Sequence, residues 1–403
     1  MTSTSTAPAG IHSRPEPVSR SPEAGPVVDP SWVDRGLALA ERTVDVVLGA
    51  PDHAVLADAG ASVAKVVAET AILLRILRPH HRGERLRRLN DRLAAVAVDP
   101  RTLVALALHA SASFELAVPY LVLREHTSSA RVDALLAVAF DARAAQGREL
   151  QPHRRLERQW LLGMVSGARE FDESDVAATV LAHEIDLLHG TRDDHYAFTH
   201  ALMYTTDFGR DPGGVPAAWL PRLTEQARSA LAGALDDDDY DIAGELLLTW
   251  PLLGVDAGPV ESAALRVLCD VADQVGTLPS LTLGLASATA GLDAADAALL
   301  ATYHTGYVFT ALAALAPTVR WADAGAGVRA LRDAWPASGR RPGWLDVPAA
   351  HLAADPLPLE AELRRAVREQ RLADLAGLLC RSGTPATPAT RQALELLHRL
   401  TLL

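Results

Sequence analysis

The amino-acid sequence predicts an all-α protein, and three observations lead to that fold class. Apolar residues recur with helical periodicity along most of the chain, for example over residues 55–83. Ser, Thr or Asp commonly precedes such a segment and Gly or Pro follows it, which are start and stop signals of helices. Alternating patterns rich in β-branched residues are nearly absent. We expect roughly sixteen helices in an array of helical hairpins that is curved or closed like an α/α toroid.

Each predicted helix has an apolar face and at least one boundary signal. The first ends at Gly49, and the second closes at Pro79 and Gly83. A later helix is expected to begin at Thr191, with Asp194 completing a capping box. The helical segments lie, in order, within residues 30–49, 55–83, 99–120, 129–147, 152–168, 172–190, 191–209, 215–235, 236–251, 258–276 and 293–316.

The chain length of 403 residues permits one large domain or two ordinary ones. Residues 1–30 are rich in Pro, Ser and Thr and lack an apolar core, so we expect a disordered tail and no secretory signal. We find no linker in the remainder and expect residues 31–403 to form a single helical-hairpin domain. Two internal stretches, 277–293 and 337–358, are the least periodic and are interpreted as long loops or a domain seam.

Charge and composition argue against several classes of partner. The net charge is −12, and the helices carry mixed charges rather than a basic face, so we expect no nucleic-acid partner. We find no run of about 18 or more apolar residues, the length that spans a bilayer, and therefore expect no membrane partner. The two cysteines are too few for a disulfide framework, which favours a reducing compartment and a cytoplasmic location.

Residues 193–212 concentrate histidine, tyrosine and aspartate in one predicted helix. His200, Tyr204 and Asp207 stand at i, i+4 and i+7 and would share one helix face. An imidazole, a phenol and a carboxylate together can transfer protons, so these three residues are catalytic candidates. In the alternative interpretation, Tyr204 packs in the core, Asp207 binds free backbone near the helix end, and His200 satisfies a buried carbonyl group.

Two further segments carry polar residues beside apolar ones. Asp241 and Glu245 lie four residues apart next to the block Leu246–Leu248, and part of the acidic run before them is expected to cap the helix. His304 lies in the middle of a mostly apolar helix and is a further catalytic candidate, although such a histidine can equally be a satisfied core residue. If the helix faces converge, the candidate metal site, suited to Fe, Mn or Zn, consists of His200, Asp241, Glu245 and His304.

Familiar catalytic motifs are missing or incomplete. His183 and His189 are six residues apart, so they do not form the H-E-x-x-H of zinc proteases. The acidic run at 237–241 matches the first motif of isoprenoid synthases as a string, but their second metal motif and an aromatic-rich composition are lacking. No P-loop, dinucleotide-binding or serine-hydrolase motif occurs. His109 and Glu115 are weaker candidates.

The run THALMYTTDFG resembles an uncharacterised family of all-helical actinobacterial proteins, whose pattern is T-H-x-x-x-Y-x-T-D-F-G. That pattern continues with an acidic helix ending in a Glu-Leu-Leu-Leu-like block and with a later Tyr-His-Thr helix. The resemblance is carried by Thr199, His200, Tyr204, Thr206, Asp207, Phe208, Gly209, Asp241, Glu245, Tyr303, His304 and Thr305. It covers most of the chain after residue 30 and implies that the three segments act together, in actinobacterial specialised metabolism, without implying a reaction.

We therefore expect a small-molecule enzyme of unknown reaction, with its site in the concave centre of the helical array. The two histidines would be acid–base groups or metal ligands, the three carboxylates their partners, and Tyr204 would orient a histidine or donate a proton. A divalent metal is the cofactor that this residue set suggests. The rival expectation is a non-catalytic scaffold that binds a protein or peptide through its concave face.

Overall fold

The computed structural model describes residues 28–50, 56, 62–108, 113–141, 151–167, 171, 173–281, 292–322, 357–380 and 384–400. Their α-helices are α1 (Ser31–Gly49), α2 (Val63–Leu77), α3 (Glu84–Ala97), α4 (Pro100–Leu108), α5 (Ser113–Val122), α6 (Ala130–Asp141), α7 (Pro152–Ser166), α8 (Glu173–Ala177), α9 (Arg192–Thr205), α10 (Leu220–Asp236), α11 (Tyr240–Leu247), α12 (Thr249–Leu253), α13 (Pro259–Val275), α14 (Ala294–Leu315), α15 (Leu357–Arg368), α16 (Leu372–Leu379) and α17 (Pro388–Leu400). Short 3₁₀ helices span Val180–Ala182, Pro212–Gly214, Ala217–Trp219 and Ala316–Thr318.

The all-α fold class is confirmed for this part of the chain. It contains no strand, and its β-type pairing is limited to an isolated bridge between Ala257 and Trp321. Leu248 alone separates α11 from α12, and the described residues contain close to the roughly sixteen helices expected from the sequence. The main apolar core is contiguous and includes residues from Val28 to Ala393.

Some regions singled out in the sequence lie outside the described residues. These are the expected tail over residues 1–27, residues 282–291 and 337–356 of the two irregular stretches, and His109.

Helix α14 lies at the centre of the helices that surround the candidate site, where it packs against α1, α2 and α11. Together with the 3₁₀ turn that follows, over Ala294–Thr318, it is long and apolar enough to cross a membrane by length and composition. The segment is not a continuous apolar run, because it includes Asp296 and His304. Because 78% of its most apolar window is buried inside the protein, its composition is that of a core helix.

Two glycines allow neighbouring helices to approach α14 closely. A Cβ atom at Gly36 on α1 would lie 1.8 Å from Oγ1 of Thr310, and one at Gly244 on α11 would lie 2.8 Å from Cγ1 of Val308. Both distances are shorter than real Cβ contacts, so larger residues would push the helices apart. The position of His304, which is also on α14, therefore depends on close backbone packing on two sides.

Side chains cap the helices that carry the candidate residues. At the start of α9, the backbone N and Oγ1 of Thr191 donate to Asp194 Oδ2 at 2.7 and 2.9 Å, which confirms the predicted capping box. At the start of α11, Asp239 Oδ1 accepts a hydrogen bond from the backbone N of Ile242 at 3.2 Å. Part of the acidic run is therefore capping, as the sequence indicated.

Helix α9 ends earlier than the sequence pattern suggested. Its last residue is Thr205, and three residues beyond it have left-handed backbone, with φ of 49° at Asp207, 55° at Phe208 and 83° at Gly209. The chain turns away from the helix axis there, so Asp207 does not extend the helix face of His200. The i+7 periodicity fails because the helix stops before it reaches that position.

Candidate functional site

Three of the four residues predicted as metal ligands converge on one buried point. Asp241 and Glu245 lie one turn apart on α11, and His304 faces them from α14. Each offers one ligand atom, and the three atoms lie within 4.8 Å of one another. His304 Nε2 is 3.4 Å from Glu245 Oε1 and 3.8 Å from Asp241 Oδ1. The two helix faces therefore meet as the sequence hypothesis required.

The ligand atoms lie where water has little access. The exposed fraction of the side chain is 1% for Glu245, 9% for Asp241 and 29% for His304. Glu245 Oε2 accepts a hydrogen bond from Thr199 Oγ1 at 2.5 Å. Asp241 Oδ1 is buried and receives no hydrogen bond from the residues that the structure describes. A buried carboxylate oxygen without a partner is costly, and a bound cation would offset that cost.

The other oxygen of Asp241 is held by Arg192 from the first turn of α9. The guanidinium is ion-paired with Asp241 Oδ2 and donates from Nε to Asp239 Oδ2 at 3.0 Å. The Arg192 side chain is 45% exposed, so it marks the side of the site nearest to solvent. Because Arg192 occupies Oδ2, Oδ1 of Asp241 is the oxygen available to a ligand.

The imidazole of His304 lies between carboxylates on both edges of its ring. Glu69, on α2, places Oε2 3.4 Å from His304 Nδ1, while Nε2 faces Asp241 and Glu245. Burial opposes protonation of His304, but Asp241 and Glu69 outweigh it and raise its pKa well above the usual value. Burial likewise opposes ionisation of Glu69, but His304 outweighs it and lowers the pKa of this carboxyl.

The two carboxyl groups on α11 differ in their ease of ionisation. Burial raises the pKa of Asp241, and the neighbouring Glu245 adds to the rise, although His304 opposes it. Burial also acts on Glu245, but His200 and His304 outweigh it and lower the pKa of Glu245. Glu245 is therefore the more readily ionised member of the pair, and ionising Asp241 costs more free energy.

His200 lies beside this group without belonging to the three-residue set. Its Nδ1 is 3.7 Å from Glu245 Oε2 and donates to the backbone carbonyl of Tyr196 at 3.0 Å. The ring of Tyr196 stacks on it, with 3.6 Å between ring centroids. Burial lowers the pKa of His200. The structure thus gives His200 a satisfied carbonyl contact, as the alternative interpretation expected, next to a candidate ligand.

Tyr204 is directed away from His200 by a separate hydrogen bond. Its hydroxyl donates to Glu157 Oε2 on α7 at 2.7 Å, and its ring meets the ring of His200 edge to face, with centroids 6.1 Å apart. Burial, with the charge of Glu157, raises the pKa of Tyr204 well above the usual value. Tyr204 therefore stays protonated and packs against the histidine.

Asp207 lies in a buried ion pair that links α9 to other helices. Its carboxylate is fully buried and accepts two hydrogen bonds from Arg75 Nη2, at 2.8 and 3.0 Å. Trp160 Nε1 donates to Oδ1 at 2.7 Å. Arg210 lies 3.6 Å from Oδ2. These partners differ from the free backbone groups that the alternative sequence interpretation assigned to Asp207.

Three residues near the site were not singled out by the sequence as chemically active. They are Glu69, which faces His304, Thr199, which donates to Glu245, and Tyr196, which stacks on His200. A signal for Glu69 did exist, because it interrupts an apolar stretch of α2 as Glu245 does on α11. No local pattern marks the roles of Thr199 and Tyr196, since their partners depend on the packing of α9.

The three-residue group fits a divalent cation by donor type, and two of its interatomic distances match the spacing of metal ligands. Bonds of about 2.1 Å in tetrahedral arrangement separate neighbouring ligand atoms by about 3.4 Å. The distances from His304 Nε2, 3.4 and 3.8 Å, are close to that spacing. One imidazole nitrogen and two carboxylate oxygens suit Fe, Mn or Zn better than a thiolate-seeking metal.

A protein-family profile described as a domain of unknown function (DUF6895) matches residues 34–315, so the chain belongs to that family. This agrees with the resemblance to an uncharacterised family and assigns no reaction. No curated protein and no solved structure shows significant similarity to the chain.

Proposed function

We propose that this member of the DUF6895 family is an enzyme that binds a divalent cation through Asp241, Glu245 and His304 and acts on a small molecule there. The observation that carries the proposal is the convergence of one imidazole nitrogen and two carboxylates at a buried point. Oδ1 of Asp241 lies there without a hydrogen bond from the described residues, 3.8 Å from His304 Nε2, which supports a cation as a further partner. Catalytic metal sites commonly have three protein ligands, which leaves a position for water or substrate.

His200 is the proposed acid–base group beside the cation. Because Nδ1 donates to the carbonyl of Tyr196, the neutral ring carries its lone pair on Nε2. Burial lowers the pKa of His200, although the charge of Glu245 opposes this, so the unprotonated ring, which can accept a proton, is favoured more than in an ordinary histidine.

The proposed helix arrangement, cellular location and metabolic role are supported by helix packing and by the sequence. Contacts of α14 with α1, α2 and α11 bring together helices far apart in the chain, which supports a curved or closed, toroid-like array around the site. Cys269 and Cys380 are both free, which supports a cytoplasmic location. A role in actinobacterial specialised metabolism rests on the resemblance of the central motif alone.

The proposal is tested by the metal content of the full chain, purified without chelator and measured by mass spectrometry. We expect near-stoichiometric Fe, Mn or Zn in the wild type and loss of that metal in His304→Ala and Glu245→Gln. His189→Ala is the matched control, because this histidine is 53% exposed and lies outside the site. It should retain the wild-type metal content.

Two outcomes would overturn the proposal. A wild-type protein without metal, whose melting temperature does not rise on addition of Fe²⁺, Mn²⁺ or Zn²⁺, would leave the group as a buried ion cluster. The rival function, a scaffold for a protein or peptide partner, would then be favoured. Metal that persists in both His304→Ala and Glu245→Gln would show that the cation is held elsewhere.

A further inference from the structure

We propose that Glu69 is a positioning residue for His304, whose carboxylate accepts the Nδ1 proton of the ring and thereby directs Nε2 at the cation held with Asp241 and Glu245. This inference rests on the proposed function, since it concerns how the same site holds its cation. It assigns a role to α2, a third helix beside α11 and α14, which contributes none of the three proposed ligands.

The placement of Glu69 supports this role. Helices α2 and α14 pack against each other, and Glu69 Oε2 lies 3.4 Å from His304 Nδ1. Both atoms are buried, and within the described part of the chain the contact that each makes is with the other. Because the two ring nitrogens lie on different edges of the imidazole, Glu69 faces one edge while Asp241 and Glu245 face the other.

The surroundings of Glu69 keep it ionised and oriented. Its side chain is 20% exposed, and Lys65 lies one turn earlier on α2. The hydroxyl of Tyr303 is buried and close to Glu69, and burial together with that carboxylate raises the pKa of Tyr303. A phenol that remains protonated offers its O–H to Glu69, so the carboxylate can accept from Tyr303 and from His304 together.

The chemistry of metal-bound histidine explains why such a carboxylate matters. An imidazole binds a cation only through a deprotonated nitrogen, so the other nitrogen must carry the proton. A carboxylate that accepts this proton fixes the tautomer and the ring orientation and makes the ligating nitrogen more basic. Without Glu69, the proton on Nδ1 would lose its acceptor and the ring would be free to adopt the other tautomer.

The test is the affinity of the full chain for Zn²⁺, measured by competition with a chromophoric chelator. We expect Glu69→Gln to weaken Zn²⁺ binding by roughly 10–100-fold, which is the usual effect of losing such a partner. The control is Glu115→Gln on α5, which removes a carboxylate whose charge acts on Glu69 without contributing to the contact at His304. Its effect should be much smaller.

A second readout separates positioning from a merely structural role. In the Zn²⁺-loaded wild type, long-range ¹⁵N–¹H spectra should show His304 protonated at Nδ1, and Glu69→Gln should change that signature while the melting temperature of the metal-free protein stays near wild type.

Equal Zn²⁺ affinity in Glu69→Gln and wild type would overturn the inference and leave the proposed function standing. Equal losses in Glu69→Gln and Glu115→Gln would also overturn it, because they would indicate a long-range charge effect. A wild type that binds no Zn²⁺, Mn²⁺ or Fe²⁺ would overturn both.

Discussion

Arg75 on α2 holds the fully buried carboxylate of Asp207 just beyond the end of α9. Its Nη2 lies 2.8 Å from Oδ2, and its Nε lies 3.2 Å from Oδ1. The pair joins the helix that carries Glu69 to the helix that carries His200. Asp207, the aspartate of the central sequence motif, is thereby part of the framework that sets the distance between two sides of the site.

Replacing Arg75 with Ala is expected to destabilise the protein by about 3–5 kcal/mol, because it removes the nearest cation from the fully buried carboxylate of Asp207 and leaves it with Trp160 and the more distant Arg210. The free energy of unfolding in urea, measured with chelator present, gives the loss. Arg320→Ala is the control, since Arg320 and its partner Asp256 are 88% and 54% exposed. A loss in Arg75→Ala no larger than in this control would contradict the assigned role of the pair.

Asp241→Asn is expected to stabilise the metal-free protein by about 0.5–2 kcal/mol while removing stabilisation by metal. Burial raises the folded-state pKa of Asp241 above its unfolded value, so its charge opposes folding at pH 7, and this cost decreases as the pH falls through the folded pKa and is gone below the unfolded pKa. Thermal unfolding with chelator and then with Zn²⁺ measures both effects. The control Asp256→Asn, at an exposed position, should be stabilised by Zn²⁺ as much as the wild type. If metal-free Asp241→Asn is less stable than the wild type, this result would count against a functional role of the Asp241 carboxylate.

Acid should destabilise the protein partly through His195, which is buried on α9 and whose Nε2 makes no hydrogen bond to the described part of the chain. Burial, followed by the charge of Arg364, lowers the pKa of His195 from 6.5 to about 4. The unfolded chain therefore binds more protons between these values, and stability falls as the pH drops from 6.5 towards 4. At pH 4.5 this contribution is on the order of 2–3 kcal/mol.

The measurement is the free energy of unfolding in urea at pH 7 and pH 4.5. His195→Gln should lose less stability than wild type between the two pH values, because it lacks the titrating ring. His189→Gln, at an exposed position, should follow the wild type. An equal loss in all three proteins would show that other groups dominate the acid response.

Gly244→Ala is expected to cost about 1–3 kcal/mol, because the added methyl group overpacks the contact with Val308. The change also pushes α11 from α14 next to Glu245, so affinity for Zn²⁺ should fall with stability. Gly377→Ala on α16 is the matched control. A Cβ there meets nothing within 4 Å, and the better helix former should stabilise by about 0.5–1 kcal/mol. Unchanged stability and Zn²⁺ affinity in Gly244→Ala would contradict the close packing of α11 on α14.

Helical periodicity and local caps were sufficient to predict the fold class. The capping box of Thr191 and Asp194 depends on residues three positions apart, so sequence alone can specify it. The pairing of Asp241 with Glu245 is also local, because one helical turn separates them. That His304 should join them was a hypothesis about converging faces, and it is confirmed by the position of α14.

The features of the candidate site that the sequence did not predict depend on tertiary packing, which helical periodicity does not encode. Asp207 was assigned to the face of His200 because its spacing fits a continuing helix, whereas the backbone turns into the left-handed region at that residue. His200 was assigned as a ligand from its residue type, but its Nδ1 bonds to a carbonyl of its own helix. Glu69 was missed because its partner is more than two hundred residues away in the chain.

The wide sequence separation of the three candidate ligands has a consequence for how the chain folds. Asp241 and Glu245 come from α11, but His304 is brought to them only when α14 has packed, and Glu69 only when α2 has joined it. Contacts between distant parts of a chain close late and slow folding. The cation-binding group should therefore be absent from early folding intermediates, and uptake of Zn²⁺ during refolding would report the final assembly of the helices around α14.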